Sequence, residues 1–425
     1  MIINFSECIT DVHYFGDCMV VTIDNQEYIL NAAKSFICKR VLQQTDSANL
    51  IQEIIDDNNL SEDERYEVKK NIEAFMLESD LGKRLFKFGD TSRNKNHLKS
   101  TGIPNQYYPL KVDIELTNRC NLYCLHCYKR ANEGELNSIN KEKIFDFLEQ
   151  NRGLISTVHL TGGEPLLVPY LEELIQRFSN SYHFDLSSNG LLLYQLSDET
   201  ISKLRNISLT LYGLNDEDYA YFTGNNYGYS LLSRSTNVLK KLNKSYKMNV
   251  VLNRDVLNRM EEYVEHAINM GADIFHIGKT SAIGRLSEQE SNMDWKLTEA
   301  ELNHAYKVIR KLEPKYLNFI KILQWEREIY YAASSYTNEM ESIYSGGCLA
   351  CGAGNRTWGL SENFVFTPCI MYKNLLSIDH SKWQNYITGE YQIDWNSIVS
   401  DFTQSCEKTN SDICRRLLIF NRQSV

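Results

Sequence analysis

Apolar positions along the chain change their period near residue 110. Beyond it, short runs of alternating or continuous apolar residues recur: "KVDIEL" at 111–116, "STVHLT" at 156–161, "YHFDLS" at 182–187, "NISLTL" at 206–211, "KMNVVL" at 247–252 and "DIFHIG" at 273–278. Each has the length and composition of a strand. Between them lie stretches with apolar residues at helical spacing, such as 259–270. Strand, crossover helix and strand in repetition predict a parallel sheet, hence an α/β fold of six units closed into part of a TIM-like barrel. The C-terminal strand ends carry glycine and polar residues, including Gly162-Gly163, Ser188-Asn189-Gly190 and Tyr212-Gly213. That edge is where α/β folds hold their ligands.

The first 84 residues follow another pattern. "MVVTID" and "EYIL" flank Asp24-Asn25-Gln26, which predicts a β-hairpin. Two helices are expected after it. The second starts at Ser61, with Glu64 placed to complete a capping box, and Val68, Ile72, Phe75 and Met76 supply its apolar face. A hairpin with helices of this size resembles a winged helix. Residues 85–109 are polar and punctuated by Gly and Pro, so they read as a linker. The expected organisation is a domain at 1–84, a linker at 85–109, a core at 110–325 and a C-terminal domain at 326–425.

Composition narrows the functions open to this chain. Its 425 residues are 43% hydrophobic and 24% charged, an ordinary globular balance. No apolar run is long enough for a membrane span. The N-terminal stretch is acidic where an export signal would be basic, so a cytoplasmic location is expected. A net charge of −10, and 16 acidic against 8 basic side chains in residues 1–84, argue against nucleic acid as a partner and against a DNA-binding regulator.

Cysteine distribution points to chemistry. In a reducing compartment, 11 cysteines read as metal-binding or catalytic rather than disulfide-bonded. Cys8, Cys18 and Cys38 lie in or beside apolar runs and read as buried small hydrophobes. Cys120, Cys124 and Cys127 form a tight triplet after the first core strand. Cys348, Cys351, Cys369, Cys406 and Cys414 fill the last eighty residues. Three thiolates on one loop suit an iron–sulfur cluster with one iron left open, or a zinc ion completed by His126 or Cys348.

The triplet is part of "CNLYCLHC", which resembles the CxxxCxΦC signature of the radical S-adenosylmethionine (SAM) superfamily, with His126 at the aromatic position. "LTGGEP" at 160–165 resembles that superfamily's GGEP motif. The resemblance implies SAM and a [4Fe–4S] cluster as cofactors, with Cys120, Cys124 and Cys127 as ligands. It further implies that Glu164 receives the SAM amine and that Gly162, Gly163 and Pro165 shape the approach. His126 would lie near the adenine, Ser188 and Asn189 near the ribose, and Thr210 against SAM. The stretch "GLNDEDYAYFTG" departs from the family, since Thr223 stands where an Arg commonly binds the SAM carboxylate. Arg234 or Arg285 is expected to substitute.

"CLACGAG" and "SENFVFTPC" resemble the opening of the SPASM and twitch extensions. They imply one auxiliary iron–sulfur cluster held by Cys348, Cys351, Cys369 and one of Cys406 or Cys414, with zinc as the other occupant of such a site. Phe364 sits where that pattern has a turn glycine, and Asn363 beside it is expected to take the turn. The N-terminal pattern and "YILN" resemble the RiPP recognition element, which captures a precursor's leader. Across the whole chain the arrangement resembles that of the sactisynthases, such as the sporulation killing factor maturase, on "DIFHIGKTSAIGR" and "ILQWERE". It implies thioether formation on a ribosomal precursor peptide bound by residues 1–84, with a flavodoxin- or ferredoxin-type electron donor. Carbon–carbon crosslinking and epimerisation are the alternatives.

Overall fold

The computed structural model describes residues 2–24, 26–43, 50–56, 61–89, 98–278, 284–288, 295, 297–316, 356–367 and 370. The six expected core strands are present as β7 (Lys111–Glu115), β8 (Thr157–Thr161), β9 (His183–Ser188), β10 (Leu204–Thr210), β11 (Lys247–Val251) and β12 (Ile274–Gly278), the numbering following six strands nearer the N-terminus. They pair in parallel and in sequential order. β13 (Thr357–Leu360) joins β7 in parallel at the other edge, and β14 (Phe366–Thr367) adds antiparallel to β13, giving eight strands. The crossover helices start where Asn140, Ser197, Asn215 and Asn253 accept a first-turn N–H.

The two faces of this sheet differ. Val112, Ile114, Val158, Leu160, Phe184 and Leu186 point one way and are buried in the main core together with helix residues such as Ile144 and Leu174. The alternate positions, among them Asp113, His159, Ser187 and Asn249, are polar and half-buried. A parallel sheet covered on both faces is apolar on both. The polar face of this one therefore lines the inside of the partial barrel.

The N-terminal unit contains the expected hairpin, with β3 (Cys18–Ile23) and β4 (Gln26–Leu30) antiparallel. Two strands escaped the pattern reading: β1 (Ile2–Phe5) and β2 (Ile9–Phe15). Among the described residues four α-helices follow rather than two, at Ala32–Gln43, Leu50–Asp56, Glu62–Glu73 and Asp80–Leu85. The third carries both limbs of the Ser61–Glu64 capping box, and Ile72 within it and Phe75 and Met76 just after it are buried.

The linker expectation for 85–109 is corrected. Phe86–Gly89 forms β5 against β1, and Lys99–Thr101 forms β6 against β2. His13 fixes the rest, with its Nε2 on the Tyr108 carbonyl and Nδ1 on the Thr101 hydroxyl, both at 2.9 Å. Backbone pairing does not require apolar side chains, so a polar stretch can supply edge strands. The sheet unit therefore runs to about residue 108 rather than 84.

Phe364 is a second correction, because the left-handed residue is Phe364 itself, at φ 62°, and not Asn363. A left-handed bulky residue costs roughly 1–2 kcal/mol. Burial of the phenyl group, worth about 1.5–3 kcal/mol, offsets it. The ring is 7% exposed and meets Phe147 edge-on. The five C-terminal cysteines lie outside the described residues. No helix among the described residues is long and apolar enough to cross a membrane.

Candidate active site

The loop that leaves β7 is held from several sides. The Cys120 N–H donates to Asn132 Oδ1 at 2.8 Å, and Asn132 Nδ2 returns a bond to the Cys120 carbonyl at 2.8 Å. The helix at Asp216–Thr223 ends against the same loop, where the Thr223 and Phe222 carbonyls accept the N–H groups of Tyr123 and Leu125. Arg285 closes it. Its Nε bonds Glu133 at 2.6 Å, Nη1 the Cys124 carbonyl at 2.6 Å and Nη2 the Ala131 carbonyl at 2.5 Å, while its guanidinium stacks on Tyr123. Gly284 makes this possible at φ 63°, since a Cβ there would lie 2.4 Å from the Cys127 carbonyl oxygen.

Arg285 is thus committed to the loop backbone and is not the expected partner of a SAM carboxylate. Arg234 is exposed and stacks on Tyr194. Thr223 is buried, with its hydroxyl on the Tyr219 carbonyl. Asn132 and Glu133 were missed by the sequence reading. Asn132 takes φ 69°, and the signal for it in the sequence is an Asn in the turn-prone run "ANEGELN" that follows the triplet.

The glycine pair packs directly under this loop. Added Cβ atoms would lie 2.5 Å from the Thr117 carbonyl oxygen at Gly162 and 2.2 Å from that of Arg119 at Gly163. Glu164 follows, fully buried. Its Oε1 accepts from Ser188 Oγ at 2.8 Å and the Leu166 N–H at 3.0 Å, and Oε2 from the Asn189 N–H at 2.9 Å. Burial outweighs these three donors and pushes its pKa up to about 7. Pro165 opens a short 3-10 turn in the position where its missing N–H costs nothing. Asn189 Nδ2 reaches Asn121 at 2.6 Å and Cys120 Sγ at 3.9 Å. Cys120, Glu164, Ser188 and Asn189 are therefore one connected network.

His126 stacks on Trp295 with centroids 4.1 Å apart, and burial pushes its pKa down to about 3. Its buried Nδ1 has no hydrogen-bond partner among the described residues, so a polar edge facing a ligand is left over. Trp295 was also missed by the sequence reading, which places Tyr212 at the ligand-bearing strand edge without giving it a role. Tyr212 hydrogen-bonds Cys124. Thr210 is half-buried at the end of β10, its carbonyl accepting from Tyr219 at 3.3 Å.

Burial pushes the Cys120 thiol up to about 12 and raises Cys124 as well. Thiols so buried become thiolates only against a strong local positive charge, which a metal centre supplies. Three thiols on one loop suit the corners of an iron–sulfur cluster with one iron left open.

Residues 114–270 match the Radical SAM superfamily. The chain carries a radical SAM domain. Enzymes of this superfamily bind SAM and a [4Fe–4S] cluster, and this site has the thiols, the close-approach glycines and the buried orphan nitrogen to accept both. The chain is 26% identical over 280 residues to the Bacillus subtilis sporulation killing factor maturation protein SkfB, covering 64% of this chain and 63% of that one. Less than two thirds of that relative is therefore spanned. The antilisterial bacteriocin subtilosin biosynthesis protein AlbA of Bacillus subtilis is 22% identical over 94% of this chain and 85% of its own length. Streptococcus suis SuiB has the same fold, with TM-score 0.61 and 15% identity over 93% of this chain and 90% of that one.

Proposed function

We propose that this protein is a radical SAM maturase of a ribosomally made precursor peptide, and that it joins a cysteine sulfur to an α-carbon. When bound, the cluster and SAM supply a carbon radical able to take a hydrogen atom from a substrate C–H. The chain's own residues do the placing. Cys120, Cys124 and Cys127 hold the cluster, and Glu164 takes the SAM ammonium. Gly162 and Gly163 let the backbone approach, His126 and Trp295 flank the adenine, and Ser188, Asn189 and Thr210 line the remainder.

One observation carries the peptide reading. On the same chain as the radical SAM site sits a sheet whose edge strand β4 has β3 as its single strand neighbour among the described residues. Such an edge accepts an extended peptide as an added strand. The names of the two bacterial relatives, a killing factor maturation protein and a bacteriocin biosynthesis protein, support a peptide substrate. Thioether chemistry rests on the resemblance to sactisynthases. The C-terminal cysteines would hold one auxiliary iron–sulfur cluster, and a flavodoxin or ferredoxin would deliver electrons.

The test is mass spectrometry of a precursor peptide co-expressed with the protein at low oxygen, followed by thiol alkylation. Loss of two hydrogens per link with the cysteine protected from alkylation is the expected result. The same loss with every cysteine alkylated would mean carbon–carbon crosslinking. Unchanged mass with solvent deuterium at an α-carbon would mean epimerisation.

A further inference from the structure

The polar inner face of the sheet holds three side chains in series, none of them among the residues assigned above to the cluster or SAM. Asp113 on β7 and His159 on β8 are register partners. Asp113 Oδ1 lies 2.7 Å from His159 Nδ1, and His159 Nε2 lies 2.7 Å from Ser187 Oγ on β9. The side chains of His159 and Asp113 are 20% and 15% exposed, so the row opens into the barrel rather than being sealed in a core. Burial raises the Asp113 pKa, but Lys111 at 3.1 Å and His159 together bring it below the ordinary carboxylate value. An ionised Asp113 can only accept, which puts the imidazole proton on Nδ1 and leaves Nε2 bare to receive the Ser187 hydroxyl proton.

The row lies close beneath the cluster loop. Tyr128, next to Cys127, donates to Glu115, which stands two residues above Asp113 on the same strand face. His159 is two residues from Thr161, the last residue before the Gly-Gly-Glu turn. Two residues of strand span about 7 Å. Ser187 directly precedes the Glu164-binding Ser188.

We propose that Ser187 and His159, oriented by Asp113, remove the proton of the substrate thiol during sulfur–carbon bond formation. The proposal rests on the thioether reading. As the S–Cα bond forms at the carbon that has lost its hydrogen atom, the thiol proton passes to Ser187 Oγ and the Ser187 proton to His159 Nε2. The imidazolium is then held against the Asp113 carboxylate. The electron left over goes to an iron–sulfur acceptor of the enzyme. The peptide thus loses one hydrogen as an atom and one as a proton plus an electron. A neutral thiol is a poor bonding partner, and a carboxylate–imidazole–hydroxyl series is a geometry that moves a proton at neutral pH.

The experiment measures crosslinked peptide formed per 5′-deoxyadenosine released, for the reconstituted full-length enzyme with its precursor, alongside His159→Gln, Ser187→Ala and Asp113→Asn. A fall of at least tenfold in that ratio is expected, because hydrogen abstraction then outruns bond formation. A merely structural contact would leave the ratio where it is, and an unchanged ratio in all three variants overturns the proposal. Nitrogen-15 NMR of the His159 ring, assigned with His159→Gln, reads the tautomer without turnover. Nδ1–H is expected, and Nε2–H overturns the proposal even where a variant fails to fold. Wild-type enzyme that releases 5′-deoxyadenosine on the peptide yet forms no thioether overturns the underlying reading instead.

Discussion

Glu164 shows how one residue's surroundings set its chemistry. Three hydrogen-bond donors face its carboxyl group, yet full burial keeps its pKa near 7 rather than in the ordinary range. An ammonium ligand needs the ionised form. SAM affinity should therefore be flat above about pH 8 and weaken as pH falls through 7, by about tenfold per unit once the carboxyl is mostly protonated. Equilibrium dialysis of the reconstituted protein between pH 6 and 8.5 would show it, and a flat profile would remove Glu164 from the ammonium site. Folding runs the opposite way, because the raised pKa means that the folded state holds a proton the unfolded chain releases above pH 4.5. That burial costs about 3 kcal/mol of stability at pH 8, using 1.36 kcal/mol per unit.

At the scale of elements, the cluster loop is shaped by neighbours far away in sequence. Arg285 contacts the Cys124 and Ala131 carbonyls across more than 150 residues, and a Cβ on Gly163 would strike the Arg119 carbonyl from below. Lysine presents a point charge in place of a planar fork and cannot reach three acceptors with one geometry. Arg285→Lys should lower iron retained after reconstitution and gel filtration by about half or more, with a loss of roughly 1–3 kcal/mol in stability as buried carbonyls go unpaired. Gly163→Ala should do at least as much damage, since a 2.2 Å contact with backbone forces the loop to move. Iron and sulfide content read beside a melting curve separates loss of the cluster from general unfolding.

For the whole molecule the decisive feature is how the N-terminal unit ends and where it rests. β5 and β6 belong to its sheets, and His13 bonds to Thr101 and Tyr108. A fragment of residues 1–108 should melt cooperatively, whereas 1–84 lacks β5, which pairs with β1, and β6, which flanks β2 on the side away from β3, and should not. Burial pushes the His13 pKa down to about 4. The unfolded chain binds the proton that the folded one refuses, so stability should fall as pH drops from 6.5 toward 4, by up to about 3 kcal/mol. Circular dichroism melts of both fragments at pH 7.5 and 5 check both statements. In the full chain the unit also grips the starts of β9 and β10, through Asp11 to His183 at 2.6 Å and Glu27 to Arg205 at 3.7 Å. These contacts lie at the opposite strand ends from the cluster loop. Under the proposed function, leader capture and chemistry are therefore expected at separate places on the chain.

What the sequence determined by itself was whatever is encoded locally. Alternation and glycine punctuation located all six core strands, the Ser61–Glu64 spacing located a helix start, and the cysteine triplet with Gly162-Gly163-Glu164 marked the candidate site. Each depends on residues near one another in the chain, where the period of side-chain direction is set by backbone geometry. Tertiary structure alone decided the rest. It made strands of the polar stretch at 85–109, because hydrogen bonding between backbones leaves little trace in side-chain pattern. It turned Arg285 from a candidate ligand partner into a clamp, because two loop carbonyls and the Glu133 carboxylate reached it first. It also aligned Asp113, His159 and Ser187, which stand 46 and 28 residues apart, because parallel pairing brings alternate positions of neighbouring strands to one face, a register that no single strand carries.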